Sequence, residues 1–197
     1  MTATITKIHD NYADAELAVS NLEAAGLPHS DISIVANNSD DWYGKKDRDG
    51  DGVDDRAEGA GIGAGIGAGI GGTAGLLAGL GLLAIPGIGP VVAAGWLAAT
   101  AVGVAAGATA GGIVGALTEA GVPEDEAPLY AESVRRGGTL VSARVNDADR
   151  SRYEAILNRS AVDVRERSLA WRKTGWQTYD PASQPYSTDD IRRERGL

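Results

Sequence analysis

The sequence predicts an α+β domain whose two halves are split by a long apolar insertion. Three observations carry this. β-Branched runs at Thr2 to Ile8, Asp31 to Ala36, Thr139 to Val145 and Ala161 to Arg165 read as strands. A helical stripe lies between the members of each pair. Residues 59–118 carry no charged side chain and hold 19 of the chain's 28 glycines, so this stretch follows a different folding logic from its flanks.

In chain order, the first strand gives way to Asp10 and Asn11, either of which can cap a helix. That helix, about 12–25, sets Tyr12, Ala15, Val19 and Leu22 on one stripe, and Gly26 closes it. The second strand follows. Beyond the insertion, Val122-Pro-Glu-Asp-Glu-Ala127 opens a helix with Pro123 in its first turn and Leu129, Tyr130 and Val134 on its apolar face. Gly137-Gly138 ends it. After the third strand, Asp147 caps a helix through Tyr153, Ile156 and Leu157, and the fourth strand follows. Each half is therefore strand, acidic cap, helix, strand, and two such βαβ halves predict a ferredoxin-like sandwich.

The insertion is built on two ladders. Gly59, Gly63, Gly67, Gly71, Gly75 and Gly79 recur every four residues, as do Gly95, Ala99, Gly103, Gly107, Gly111 and Gly115. Residues four apart share a helix face, so each ladder is a ridge nearly free of side chains, the pattern of closely packed apolar helices. Pro86 and Pro90 break the run and turn the chain back. The expected object is a glycine-zipper helical hairpin with arms near 59–84 and 91–118. The first arm also alternates like a bare-faced strand; the alanines after Trp96 favour helix. Each arm would run about 40 Å, enough to cross a bilayer core of about 30 Å. The hairpin is expected to insert in membrane or to drive homo-oligomer formation. The start of the chain has no basic segment followed by an apolar one, so the α+β head is expected in the cytoplasm, on a membrane-associated hairpin or as a soluble oligomer. The organisation is thus 1–38 and 119–167 for the head, 39–58 for an acidic loop, 59–118 for the hairpin and 168–197 for a tail.

Several of these motifs resemble a known family. The residues are Tyr12-Ala-Asp-Ala-Glu-Leu-Ala-Val with Leu22 and Gly26-Leu27, Leu83-Ala-Ile-Pro-Gly-Ile-Gly-Pro-Val, and Gly121-Val-Pro-Glu-Asp-Glu-Ala with Tyr130 and Val134-Arg-Arg-Gly-Gly-Thr-Leu-Val. Over roughly residues 3–165 the chain is similar to bacterial general stress proteins that carry a heat-induced stress domain. The resemblance implies a stress-linked, non-enzymatic protein and supplies no catalytic residues.

The acidic loop departs from that family's pattern and carries the sharpest local signal. Asp47, Asp49, Asp51, the Val53 carbonyl, Asp55 and Glu58 occupy the ligand positions of an EF-hand loop, with Gly52 at its turn. Hard cations need several oxygens at once, so Ca2+ is the expected ion. Asp54 stands where a paired hand has an apolar residue, and no second loop exists. The alternative is a solvated acidic linker.

Other features carry less. Gly67-Ala-Gly-Ile-Gly-Gly72 matches a dinucleotide fingerprint by letter, with no strand before it. His9 and His29 read as rim or surface histidines. Glu124-Asp-Glu126 reads as helix N-terminal charge, and Arg135-Arg136 as complements to a helix C-terminus. The tail spreads Trp171, Trp176, Tyr179 and Tyr186 among charges and prolines. It reads as a strap on the parent domain, or as a docking segment. Net charge −9 argues against nucleic-acid binding. The absence of cysteine excludes disulfides and thiol catalysis.

Overall fold

The computed structural model describes residues 2–41, 81–98 and 112–195. They form an α+β fold around one six-stranded sheet. Strand β1 is Thr2–His9, β2 Ile32–Asn37, β3 Gly81–Ile85, β4 Gly89–Gly95, β5 Thr139–Asn146 and β6 Ala161–Val162. The order across the sheet is β3-β4-β2-β5-β1-β6, and every neighbouring pair is antiparallel.

Helices cover both faces. Helix α1 (Tyr12–Ala24) and helix α4 (Arg150–Leu157) lie on one face. Their Ala15, Val19, Leu22, Tyr153 and Leu157 pack with Ile5, Ile34, Val92 and Val141. Helices α2 (Gly112–Glu119), α3 (Ala127–Arg135) and α5 (Val164–Lys173) lie on the other. Ile113, Leu117, Leu129, Tyr130, Val134 and Val164 pack there with Ile8, Val35, Val91 and Leu140. Alternate residues of one strand thus enter two cores. This explains why β4 and β5 read as continuous apolar runs, with no polar face to spare.

The expected helical hairpin is not what residues 81–95 form. The chain does reverse at Pro86 to Pro90, as its prolines demand, but the flanks are strands β3 and β4. Val91 and Val92 are β-branched and find opposite cores, with both fully buried. Burying such a side chain contributes about 1.5–3 kcal/mol, more than the few tenths that helix propensity offers alanine-rich neighbours. The second arm cannot be one helix, because Gly95 takes φ +85° at the end of β4. A Cβ there would stand 2.2 Å from the Ile32 carbonyl oxygen, so the crossing onto β2 requires glycine. Ladder members Gly59 to Gly79 and Ala99 to Gly111 lie outside the described residues. No helix among the described residues is long and apolar enough to cross a membrane.

Smaller differences have local causes. The expected fourth strand stops at Val162, because Asp163 caps α5 by accepting from the Arg165 and Glu166 amides. Helix α5 then continues unbroken past residue 168. Helix α3 begins at Ala127, with Pro128 rather than Pro123 in its first turn. Asp149, not Asp147, occupies the cap position of α4. Asn11 caps α1 as expected, accepting from the Asp14 amide at 2.9 Å.

Candidate functional site

The densest polar arrangement in the described residues sits where α3 ends and the C-terminal segment returns. Its base is Glu132, a carboxylate that is 1% exposed. It lies one helical turn before Arg135 and Arg136, so both cations fall on its side of α3. Glu132 Oε1 accepts from Arg135 at 2.9 Å and from Arg136 Nε at 2.6 Å. Buried charges survive only when paired in this way.

The rest of the cluster comes from the tail. Helix α6 (Thr188–Arg195) brings Glu194, whose Oε1 accepts from Arg136 at 2.9 Å and from the Trp171 indole N–H at 2.8 Å. The Arg136 guanidinium lies 4.8 Å from the Trp171 ring centroid and 5.1 Å from that of Tyr186. Arg135 stacks on the same Tyr186 at 4.3 Å. Burial works against the charge of Arg136, but hydrogen bonds and charge from Glu132 and Glu194 outweigh it and hold the guanidinium protonated. Beside it opens a cavity of ≈ 520 Å³ lined by Asp10, Arg136, Arg167, Trp171 and Glu194. Its cations are engaged, since Arg167 binds Asp10 at 2.6 Å.

The tail is therefore a strap on its own domain. Tyr179 donates to the Pro86 carbonyl, Arg135 donates to the Gln184 carbonyl at 3.0 Å, and Thr188 donates to the Ser39 carbonyl at 3.2 Å. Burial, with Glu132 nearby, pushes the Tyr179 hydroxyl up to about 12. Gly87 and Gly89 lie directly beneath the strap. A Cβ on Gly87 would stand 2.8 Å from the Asp180 carbonyl oxygen, and one on Gly89 2.8 Å from Pro185 Cβ. The apolar β3–β4 turn and the charged tail are fitted to each other.

The residues singled out from the sequence fare differently. Arg135 and Arg136 do close the end of α3, but in an ionic cluster the sequence expectation did not include. The Glu132-x-x-Arg-Arg spacing was a legible signal; Glu194, 58 residues on from Arg136, was not. Asp125 and Glu126 bind Arg165 at 2.9 and 2.7 Å and tie α5 to the start of α3. His29 stands in a 3-10 turn, exposed as expected. His9 is not a rim residue. It is fully buried, with Nδ1 3.1 Å from the Ser160 hydroxyl, and burial lowers its pKa. Asp47, Asp49, Asp51, Val53, Asp55 and Glu58 lie outside the described residues, as does the Gly67 to Gly72 run. Among the described residues no three His, Asp or Glu side chains come together to hold a metal. Compared with protein-family models, curated proteins and solved structures, the chain matches none of them.

Proposed function

We propose that this chain is a non-enzymatic, self-associating interaction protein of the stress response. The stress assignment rests on the motifs at Gly121 to Ala127 and Val134 to Val141. The order β6-β1-β5-β2, with α1 and α4 on one face, supports a ferredoxin-like reading of the four strands outside the insertion. The buried charges at Glu132, Arg136 and Glu194 support a structural role, since each is satisfied by the chain's own strap.

One observation carries the self-association. Strand β3, Gly-Leu-Leu-Ala-Ile, ends the described sheet with no charge and no proline, and its Leu82 is 50% exposed. Edge strands of monomeric proteins are usually blunted by charge, bulges or proline. An unguarded apolar edge is a surface for a second copy. The glycine ladder before β3 extends the same charge-free surface in sequence. Ca2+ at Asp47 to Glu58 would neutralise the acidic segment ahead of it, and modulation by that ion belongs to this reading.

Sedimentation of the full chain over a concentration series, beside Leu82→Lys, tests it. A concentration-dependent oligomer that Leu82→Lys dissociates supports the reading. A monomer at every concentration overturns it. Retention of the full chain in carbonate-washed membranes would favour the expected membrane anchor instead. Calorimetric titration of Ca2+ into the full chain and into an Asp49→Asn/Asp51→Asn variant tests the ion.

A further inference from the structure

The other end of the sheet is also open, and it is built differently. Strand β6 pairs with β1 only at Ile8 and His9. It goes no further because Asp163 caps α5 and draws the chain off the sheet. Residues Thr2 to Lys7 pair with β5 on one side and have no strand on the other among the described residues. In an extended strand the N–H and C=O groups of successive residues point to opposite sides. Alternate backbone groups of this stretch therefore face outward, where one more strand would bond them.

The outward edge forms one side of a groove of ≈ 550 Å³. One wall comes from the α2–α3 connection, with Val122, Pro123 and Tyr130; the other comes from α4, with Arg150 and Glu154. The groove thus runs between the two helical layers, along the strand. Its acids are engaged: Glu126 with Arg165 at 2.7 Å, and Glu154 with Lys7 at 3.4 Å. Arg150 is exposed, and its guanidinium has no partner among the described residues. The charge left over in the groove is positive.

We propose that the open edge of β1 is a strand-addition site for an extended, acidic peptide segment of a partner protein. The added strand continues the line of β6, antiparallel to Thr2–Lys7, and main-chain hydrogen bonds supply the affinity. Arg150 selects carboxylate side chains on the peptide. The site lies at the opposite end of the sheet from β3 and does not depend on self-association there.

The probe is a synthetic peptide, acetylated and amidated, that alternates valine and glutamate. Two control peptides replace glutamate by lysine or place proline at its centre. Binding to the full chain is followed by amide hydrogen exchange and fluorescence anisotropy. The expected result is slowed exchange confined to Thr2–Lys7, with the lysine and proline peptides binding at least tenfold more weakly. Arg150→Glu, a solvent-exposed substitution that keeps the fold, should weaken the glutamate peptide by about fivefold to tenfold, the effect of losing one exposed ion pair and adding a repulsion. Equal binding of the proline peptide overturns strand addition. Equal binding of the lysine peptide, or no effect of Arg150→Glu, overturns the acidic partner. Protection of these amides in the chain alone, rising with its concentration, would give the edge to a second copy and also overturn the proposal.

Discussion

Arg136 Nε lies 2.6 Å from Glu132 Oε1, and that carboxylate is shared with Arg135. Two cations thus depend on one buried anion. Glu132→Ala leaves both without it in a site where solvent cannot compensate. Removing one partner of a buried pair costs about 3–5 kcal/mol. Denaturant unfolding should show a loss of that size. The paired replacement Glu132→Leu/Arg136→Met removes both charges and should cost clearly less.

Glu194 links Arg136 and Trp171 to the strap at 2.9 and 2.8 Å. Glu194→Ala removes two hydrogen bonds to a part-buried site. It should lower stability by about 1–2 kcal/mol and speed exchange of the amides between residues 179 and 195. Trp171 fluorescence should shift to the red as the strap lifts. An unchanged spectrum would show that Tyr179 and Tyr186 hold the strap without Glu194.

Gly87→Ala tests the fit between the β3–β4 turn and the tail. The added methyl meets strap backbone, 2.8 Å from both the Asp180 carbonyl oxygen and the Pro181 Cα, at a residue whose φ is +75°. The left-handed conformation alone costs about 1–2 kcal/mol for a non-glycine residue, and displacement of the strap adds to it. Gly26→Ala has the same backbone penalty with nothing within 4 Å. The difference between the two variants in unfolding free energy measures the strap contact.

Glu23 has both carboxylate oxygens shielded and without a hydrogen-bond partner. Burial raises its pKa to about 7. The unfolded chain ionises near the ordinary value of 4.5, so between those values the folded state holds the extra proton. Stability from this group is full below pH 4.5 and is lost as pH rises towards 7. Glu23→Gln should therefore be neutral at pH 4 and stabilising by about 1 kcal/mol at pH 8, after discounting for the half-exposed side chain. Thermal melting at the two pH values checks this. His9 runs the other way: with its pKa lowered by burial, its contribution is present above 6.5 and is lost as pH falls through the depressed value.

The strands and helices outside the insertion were legible because local signals agreed with tertiary demand. Asn11 had a cap to make, and Gly137-Gly138 a helix to end. Period-two runs at Thr2 to Ile8 and Thr139 to Val145 each found a partner strand. Residues 81–95 were misread for a physical reason. A four-residue glycine step reports small side chains, and small side chains suit a close helix pair and a doubly covered strand equally well. What decided was a free edge on β2, which only the assembled sheet provides. The strap cluster was half legible. Glu132, Arg135 and Arg136 share a helix turn, but their burial and their aromatic cover depend on Trp171, Tyr186 and Glu194 arriving from the far end of the chain.

By itself, then, the sequence determined an α+β chain with two βαβ halves, a charge-free glycine-rich stretch between them and an aromatic tail, because periodicity, capping residues and turn residues are local. The tertiary structure alone decided which face each strand buries. It also decided that part of the apolar stretch joins the sheet, that His9 is buried, and that β1 and β3 keep open edges. Those outcomes rest on pairings between residues tens to more than a hundred positions apart, and no local propensity encodes them.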